Sequence, residues 1–262
     1  MLSTAAPIRV RSSAVPAPAS VIAANAVASR SLPPNVTVLS SHLREIGVAQ
    51  PELQRLAPMV VILKSIKRGG LLYRAGQRFH SIYAVHVGCF KTSVLAADGR
   101  EQVTGFQITG DLLGLDGIAA DCHTSQAVAL EDSHVCIIPF ADLERHNRAS
   151  AEFQHWFHKL MSQAIVSDQD VMMLQLGRMR AEARLATFLL SLTQRLHKRG
   201  FSEFAVNLRM TRDEIGNYLG LTLETVSRIF SKFNENGTLA VRGRDVRILD
   251  IAALRHAVDG TR

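Results

Sequence analysis

The chain has 262 residues, 47% hydrophobic and 20% charged, enough length and apolar content for two modest domains with packed cores. No apolar run approaches the roughly 20 residues that a membrane span requires, so no membrane partner is expected. The formal net charge of +7 is uneven: +4 over residues 1–44, −3 over residues 45–171 and +6 over residues 172–262. A basic final third after a mildly acidic middle points to a polyanion as partner, although charge by itself leaves a merely solvated basic surface equally open. Three cysteines, Cys89, Cys122 and Cys136, form no CxxC pair and no cluster at metal-site spacing. No metal site is therefore expected, and free thiols in a reducing cytoplasm are.

In chain order, residues 1–35 are rich in Ala, Ser, Val and Pro, with Pro16 and Pro18 interrupting the apolar run. They read as a disordered tail, not as a signal or transit segment. Residues 36–150 carry short β-branched runs such as "VVILKSI", "SIYAVHVG", "FKTSVLA", "EQVTGFQI" and "HVCIIPF", separated by glycines. Turn signals at this spacing predict an antiparallel β-roll, with a hairpin turn at Asp98, Gly99 and Arg100. Residues 151–177 switch to helical periodicity without Gly or Pro until Gly177. One stripe, Phe153, Phe157, Leu160, Ala164, Val171 and Leu174, suits the roll; a second, Met161, Ile165, Asp168 and Met172, suits another copy of the chain. This is the predicted dimerisation helix, followed by a further helix over about residues 180–198.

Residues 178–262 hold the segment "TRDEIGNYLGLTLETVSRIF". Gly216, Gly220 and Val226 stand where a helix-turn-helix needs a close approach, a left-handed turn and an inward-packing residue. Thr211 with Glu214 forms a T-x-x-E capping box, and Thr222 caps the second helix. Glu224, Thr225, Ser227 and Arg228 then lie near the start of that helix, where Arg suits guanine and Glu suits cytosine. "TLAVRGRDVRIL" reads as a wing of two strands around Gly243. The candidate DNA-contacting set is Thr211, Arg212, Thr222, Glu224, Thr225, Ser227, Arg228, Arg242 and Arg244. No nucleophile–base pair is evident, and Gly110-Asp111-x-x-Gly114 is too short to cradle phosphate, so the chain does not read as an enzyme.

These residues resemble the CRP/FNR superfamily of bacterial transcription regulators. Glu224-x-x-Ser227-Arg228 matches the E-x-x-S-R motif of the FNR branch, and the likeness runs upstream through "EDSHVCIIPF", "EQVTGFQITGDLLGLD" and "SIYAVHVG". The resemblance implies an α+β chain: a cyclic-nucleotide-binding-like β-roll, a long dimerisation helix and a winged helix-turn-helix. It implies a homodimer on palindromic double-stranded DNA with TTGAT-like half-sites, Glu224 and Arg228 reading the G·C pair. It also implies contact between roll loops and RNA polymerase, and control of anaerobic or microaerobic metabolism.

The sensing chemistry departs from the family. Residues 1–88 contain no cysteine, and Cys136 alone, at the position of the roll cysteine, cannot replace the four ligands of an iron–sulfur cluster. From Glu101 to Glu144 there is no Lys or Arg against eight acidic residues, which opposes a cyclic nucleotide's phosphate. No cofactor is therefore expected. The alternative is a regulator whose roll binds an effector or senses thiol redox, with His80, His86, His123 and His134 as haem candidates and the three cysteines as thiols. Asp168 on the dimer stripe would meet its own copy, opposing pairing, while Ala164 and Val166 keep the seam apolar, so a largely constitutive dimer is expected.

Overall fold

A computed structural model of the chain describes residues 62–96, 98–176 and 179–259. The side chains of Ile62 and of residues 167–176 lie outside the described set, as do the predicted tail, residues 1–35, and the start of the predicted roll, residues 36–61.

The apolar runs fold into strands β1 (Ile62–Ile66), β2 (Leu71–Tyr73), β3 (Ser81–Val87), β4 (Cys89–Leu95), β5 (Glu101–Ile108), β6 (Leu112–Leu113), β7 (Gln126–Ala129) and β8 (Ser133–Pro139). They form two antiparallel sheets, ordered β1-β8-β3-β6 and β2-β7-β4-β5. Leu72, Tyr73, Val85, Phe90, Leu113 and Val135 fill the space between the sheets. The first sheet is also covered outside, where Ile82, Ala84, Cys136 and Ile138 meet the following helices. Burial on both faces is why β3 and β8 read as nearly continuous apolar runs. At the β4–β5 hairpin, Gly99 has φ +81° and Asp98 accepts from the Arg100 N–H at 3.1 Å, the geometry that the turn residues predict.

Helices α1 (Phe140–Ala149) and α2 (Ala151–Leu176) pack on this roll. They part at Ser150, whose extended backbone ends α1 and whose hydroxyl accepts from the Phe153 N–H. Phe153, Trp156, Phe157 and Leu160 are buried against the sheet. Met161, expected on the outward stripe, packs partly on the same cluster, because positions 157, 160, 161 and 164 share a helical face. Ile165 stays 56% exposed. Asp168, Val171, Met172 and Leu174 have side chains outside the described residues.

The C-terminal part comprises α3 (Ala181–His197), β9 (Ala205–Asn207), α4 (Arg212–Leu219), α5 (Leu223–Glu235), β10 (Leu239–Arg242), β11 (Asp245–Ile248) and α6 (Ile251–Asp259). Its small sheet runs β10-β11-β9. Its core is continuous with the roll: Val103, Phe106, Ile108 and Leu130 cluster with Phe188, Leu189 and Ile215. The Phe106 ring lies 6.0 Å from Phe188 and 5.2 Å from Tyr218.

Candidate DNA-binding interface

The helix-turn-helix is fixed by its backbone chemistry. Thr211 Oγ1 accepts from the Glu214 N–H at 3.1 Å, and the Glu214 carboxylate accepts from the Thr211 N–H at 2.8 Å, a complete capping box. Gly220 closes α4 at φ +65°, where a side chain would be strained. A Cβ on Gly216 would lie 2.7 Å from the Leu221 carbonyl oxygen, so only glycine lets the turn come this close. Arg184 donates to the Leu219 carbonyl at 3.1 Å, satisfying one of the open carbonyls at the end of α4. Thr222 caps α5 by accepting from the Thr225 N–H at 3.2 Å. Val226 is fully buried, with Ile229, Phe230 and Phe233 on the same side.

That packing turns the opposite side of α5 outward. Thr222, Glu224 and Arg228 are exposed, and Thr225 and Ser227 are half-buried at its edge. The wing turns at Gly243, with φ +61°, and exposes Arg242 and Arg244. Arg244 also donates to the Arg209 carbonyl at 3.4 Å. Arg212 stands apart from the other members of the predicted set. Its guanidinium lies 3.5 Å over the centroid of the Phe230 ring and donates to the Gly243 carbonyl at 3.2 Å. It therefore joins α4, α5 and the wing. Thr211 is similarly engaged in its cap, although its side chain is exposed.

Several residues that sequence reasoning missed position this unit on the roll. β5 is an edge strand, and Asn217 of α4 satisfies its open backbone: it accepts from the Val103 N–H at 2.6 Å and donates to the Glu101 carbonyl at 2.7 Å. Lys91 bridges Glu101 at 3.1 Å and Glu214 at 3.2 Å. Asp111 pairs with both Arg195 and Arg199, and Arg209 pairs with Glu131 at 3.0 Å. An Asn in the middle of a short helix was a signal, since Asn disfavours helix interiors.

The histidine candidates differ in depth, and His86 and His134 lie close enough that the His134 charge adds to burial in lowering the His86 pKa. His80 is exposed, His86 and His134 are half-buried and His123 is buried. Among the described residues no three His, Cys, Asp or Glu side chains gather as metal ligands. Cys89 and Cys136 are buried. Burial, with the Glu131 charge second, pushes the Cys89 thiol up to about 12, and burial also raises Cys136. Neither is an activated thiolate.

Comparison with known proteins agrees with this architecture. The profile of the Crp-like helix-turn-helix domain matches residues 183–257, and that of the cyclic nucleotide-binding domain matches residues 63–146. The "Transcriptional regulatory protein btr" of Bordetella pertussis is 40% identical over 213 residues, 81% of this chain and 88% of that protein. The "Fumarate and nitrate reduction regulatory protein" of Escherichia coli is 41% identical over 211 residues, 80% of this chain and 84% of that protein. The solved structure of FixK2 from Bradyrhizobium japonicum superposes with a TM-score of 0.69 at 30% identity, covering 75% of this chain and 96% of that one. Identity at this level over four fifths of the sequence, together with the two matched domain profiles, settles the lineage: this chain belongs to the CRP/FNR family and is a DNA-binding transcription regulator, not an enzyme.

Proposed function

We propose that the protein binds DNA as a homodimer on pseudo-palindromic sites with TTGAT-like half-sites about 34–36 Å apart. The observation that carries this reading is the outward face of α5, where Glu224 and Arg228 are exposed beside Ser227 at the N-terminal end of the helix. Arg228 pairs with guanine and Glu224 with the cytosine opposite. Thr222 and Thr225 serve bases or phosphates, and Arg242 and Arg244 on the wing hold the backbone. Thr211 lies close enough to the turn to join them, and Arg212 acts by fixing the wing.

The division into a tail, a roll over residues 36–150, a dimerisation helix over residues 151–177 and a DNA-binding unit over residues 178–262 follows from the same reading. RNA polymerase meets the roll at the β4–β5 turn, where Leu95 is 69% exposed beside the exposed Asp98 and Arg100. The target genes serve anaerobic or microaerobic metabolism in the cytoplasm; the name of the Escherichia coli relative supports that class. No resident cofactor fits the residues present. Cys136 is buried in the roll and residues 1–88 carry no cysteine. Among the described residues no three candidate ligands gather as a metal site, and the sequence between residues 101 and 144 has no Lys or Arg for a phosphate.

Selection of bound sequences from a random DNA pool tests the reading. Enrichment of paired TTGAT-like half-sites is expected for the wild type, with relaxed choice at the G·C position for Arg228→Ala. A pool that returns an unrelated motif, or an unchanged motif for the variant, removes the assignment.

A further inference from the structure

The domain that matches a cyclic nucleotide-binding profile contains an anion cradle, and the anion in it belongs to the chain. Asp116 stands in the single turn of tight helix over Leu115–Gly117. Its Oδ2 accepts from the Thr124 N–H at 2.9 Å, the Ser125 N–H at 2.9 Å, the Ser125 hydroxyl at 2.9 Å and the Thr124 hydroxyl at 3.3 Å. Its Oδ1 lies 3.3 Å from His123 Nδ1. Convergent backbone and hydroxyl donors are what a protein uses to hold phosphate or carboxylate.

The surroundings fix this carboxylate in place. Gly114, at φ +88°, packs so that an added Cβ would sit 3.2 Å from His123 Cε1 and 3.3 Å from the Ser81 carbonyl oxygen. A Cβ on Gly117 would sit 2.6 Å from the Phe79 ring. His123, 1% exposed, stacks on Tyr73 with ring centroids 3.9 Å apart. Its Nδ1 faces Asp116, while its Nε2, on the other side of the ring, is buried without a hydrogen-bond partner. Among the described residues no Lys or Arg pairs with Asp116.

We infer that Asp116 is an internal substitute for the anionic group of an effector, so that the roll's own carboxylate fills the cradle. The five donor contacts join the residue-115 turn to the start of β7, which in turn pairs with β4 beneath the DNA-binding unit. The cradle is therefore shut to cyclic nucleotides. A phosphate brought to about 4 Å from Asp116 at an effective dielectric of about 20 would meet a repulsion on the order of a thousandfold in affinity. Removing the carboxylate, conversely, exposes a site for a small carboxylate or a phosphoryl group.

The test uses the full chain as wild type, Asp116→Ala and Asp116→Asn, with unfolding midpoints in sodium acetate, inorganic phosphate and sodium chloride at matched ionic strength. The wild type is expected to have one midpoint in all three and no shift with cyclic AMP. Asp116→Ala is expected to melt several degrees lower in chloride and to recover saturably with an added anion. Recovery in acetate alone identifies a carboxylate-sized cradle, and recovery in phosphate a phosphoryl-sized one. A variant as stable as the wild type, a variant indifferent to both anions, or a wild type stabilised by cyclic AMP overturns the inference. Should Asp116→Ala fail to fold, Asp116→Asn keeps the shape, and its Thr124 and Ser125 amides are expected to exchange with solvent at least tenfold faster; unchanged exchange overturns it equally. None of these measurements involves DNA, so their failure leaves the reading of α5 untouched.

Discussion

Two arginines sixteen positions apart in the reading head do different work, and their surroundings say how. Arg228 is exposed on α5, so on the proposed reading Arg228→Ala would remove a base contact and little else. Its expected cost is about 1–3 kcal/mol on the matched site and close to nothing on a site already substituted at the G·C pair, measured by fluorescence anisotropy. Arg242→Ala on the wing should weaken all sequences alike and reduce the salt slope by about one. Arg212 is packed over Phe230 and bonded to Gly243. Arg212→Ala should therefore lower the unfolding midpoint, losing about 0.5–2 kcal/mol of cation–π contact, and should loosen DNA binding only through the wing. Cys89 offers a further check at this scale. With its thiol pushed up to about 12 by burial and then by Glu131, it is neutral at pH 8, and native protein should resist alkylation there until it unfolds.

The elements are held together by charges that cross from roll to reading head. Burial alone would raise the Asp111 carboxyl, but the Arg195 and then the Arg199 guanidinium outweigh it and hold it below the usual carboxylate range. A depressed folded value means that the contribution is complete above the unfolded value of about 3.9 and is lost as pH falls through the folded one. Asp111→Asn leaves Arg199, 13% exposed, and Arg195, 36% exposed, without their carboxylate. Breaking a buried pair costs about 3–5 kcal/mol, and the access of water to Arg195 puts this case at the low end. Chemical denaturation at pH 7 should show that loss, and the variant's stability should fall less steeply than the wild type's below about pH 4. The strands, the capping box and the glycine turn were legible because each is written within a few neighbouring residues. Asp111, Asn217 and Asp116 were not: the first two partner groups 84 to 116 positions away, and Asp116's partners eight and nine positions on approach only after the roll closes. For Arg212 the sequence shows the charge that makes it a candidate DNA contact but not the ring beneath it, which lies on another helix.

At the scale of the whole molecule, the proposed dimer rests on α2. Its N-terminal turns are buried against the roll through Phe153, Trp156, Phe157 and Leu160. Beyond them Ile165 is 56% exposed and Val166 52% exposed, two β-branched apolar side chains that the roll does not cover. Covering an isoleucine contributes about 1.5–3 kcal/mol, and a two-fold axis along α2 would cover it twice, once from each copy. The proposed dimer should therefore persist at micromolar concentration in sedimentation without any added ligand. Ile165→Glu should shift it to monomer by at least about 3 kcal/mol, on the order of a hundredfold in dissociation constant. Because Ile165 is exposed within one chain, the variant monomer should keep its own unfolding midpoint while losing affinity for the two-half-site DNA and retaining the weak binding to a single half-site. Asp168→Ala, which removes the like charges expected to meet across the seam, should move the same equilibrium the other way. A wild type that sediments only as monomer would remove both expectations and, with them, the pairing of half-sites one helical turn apart.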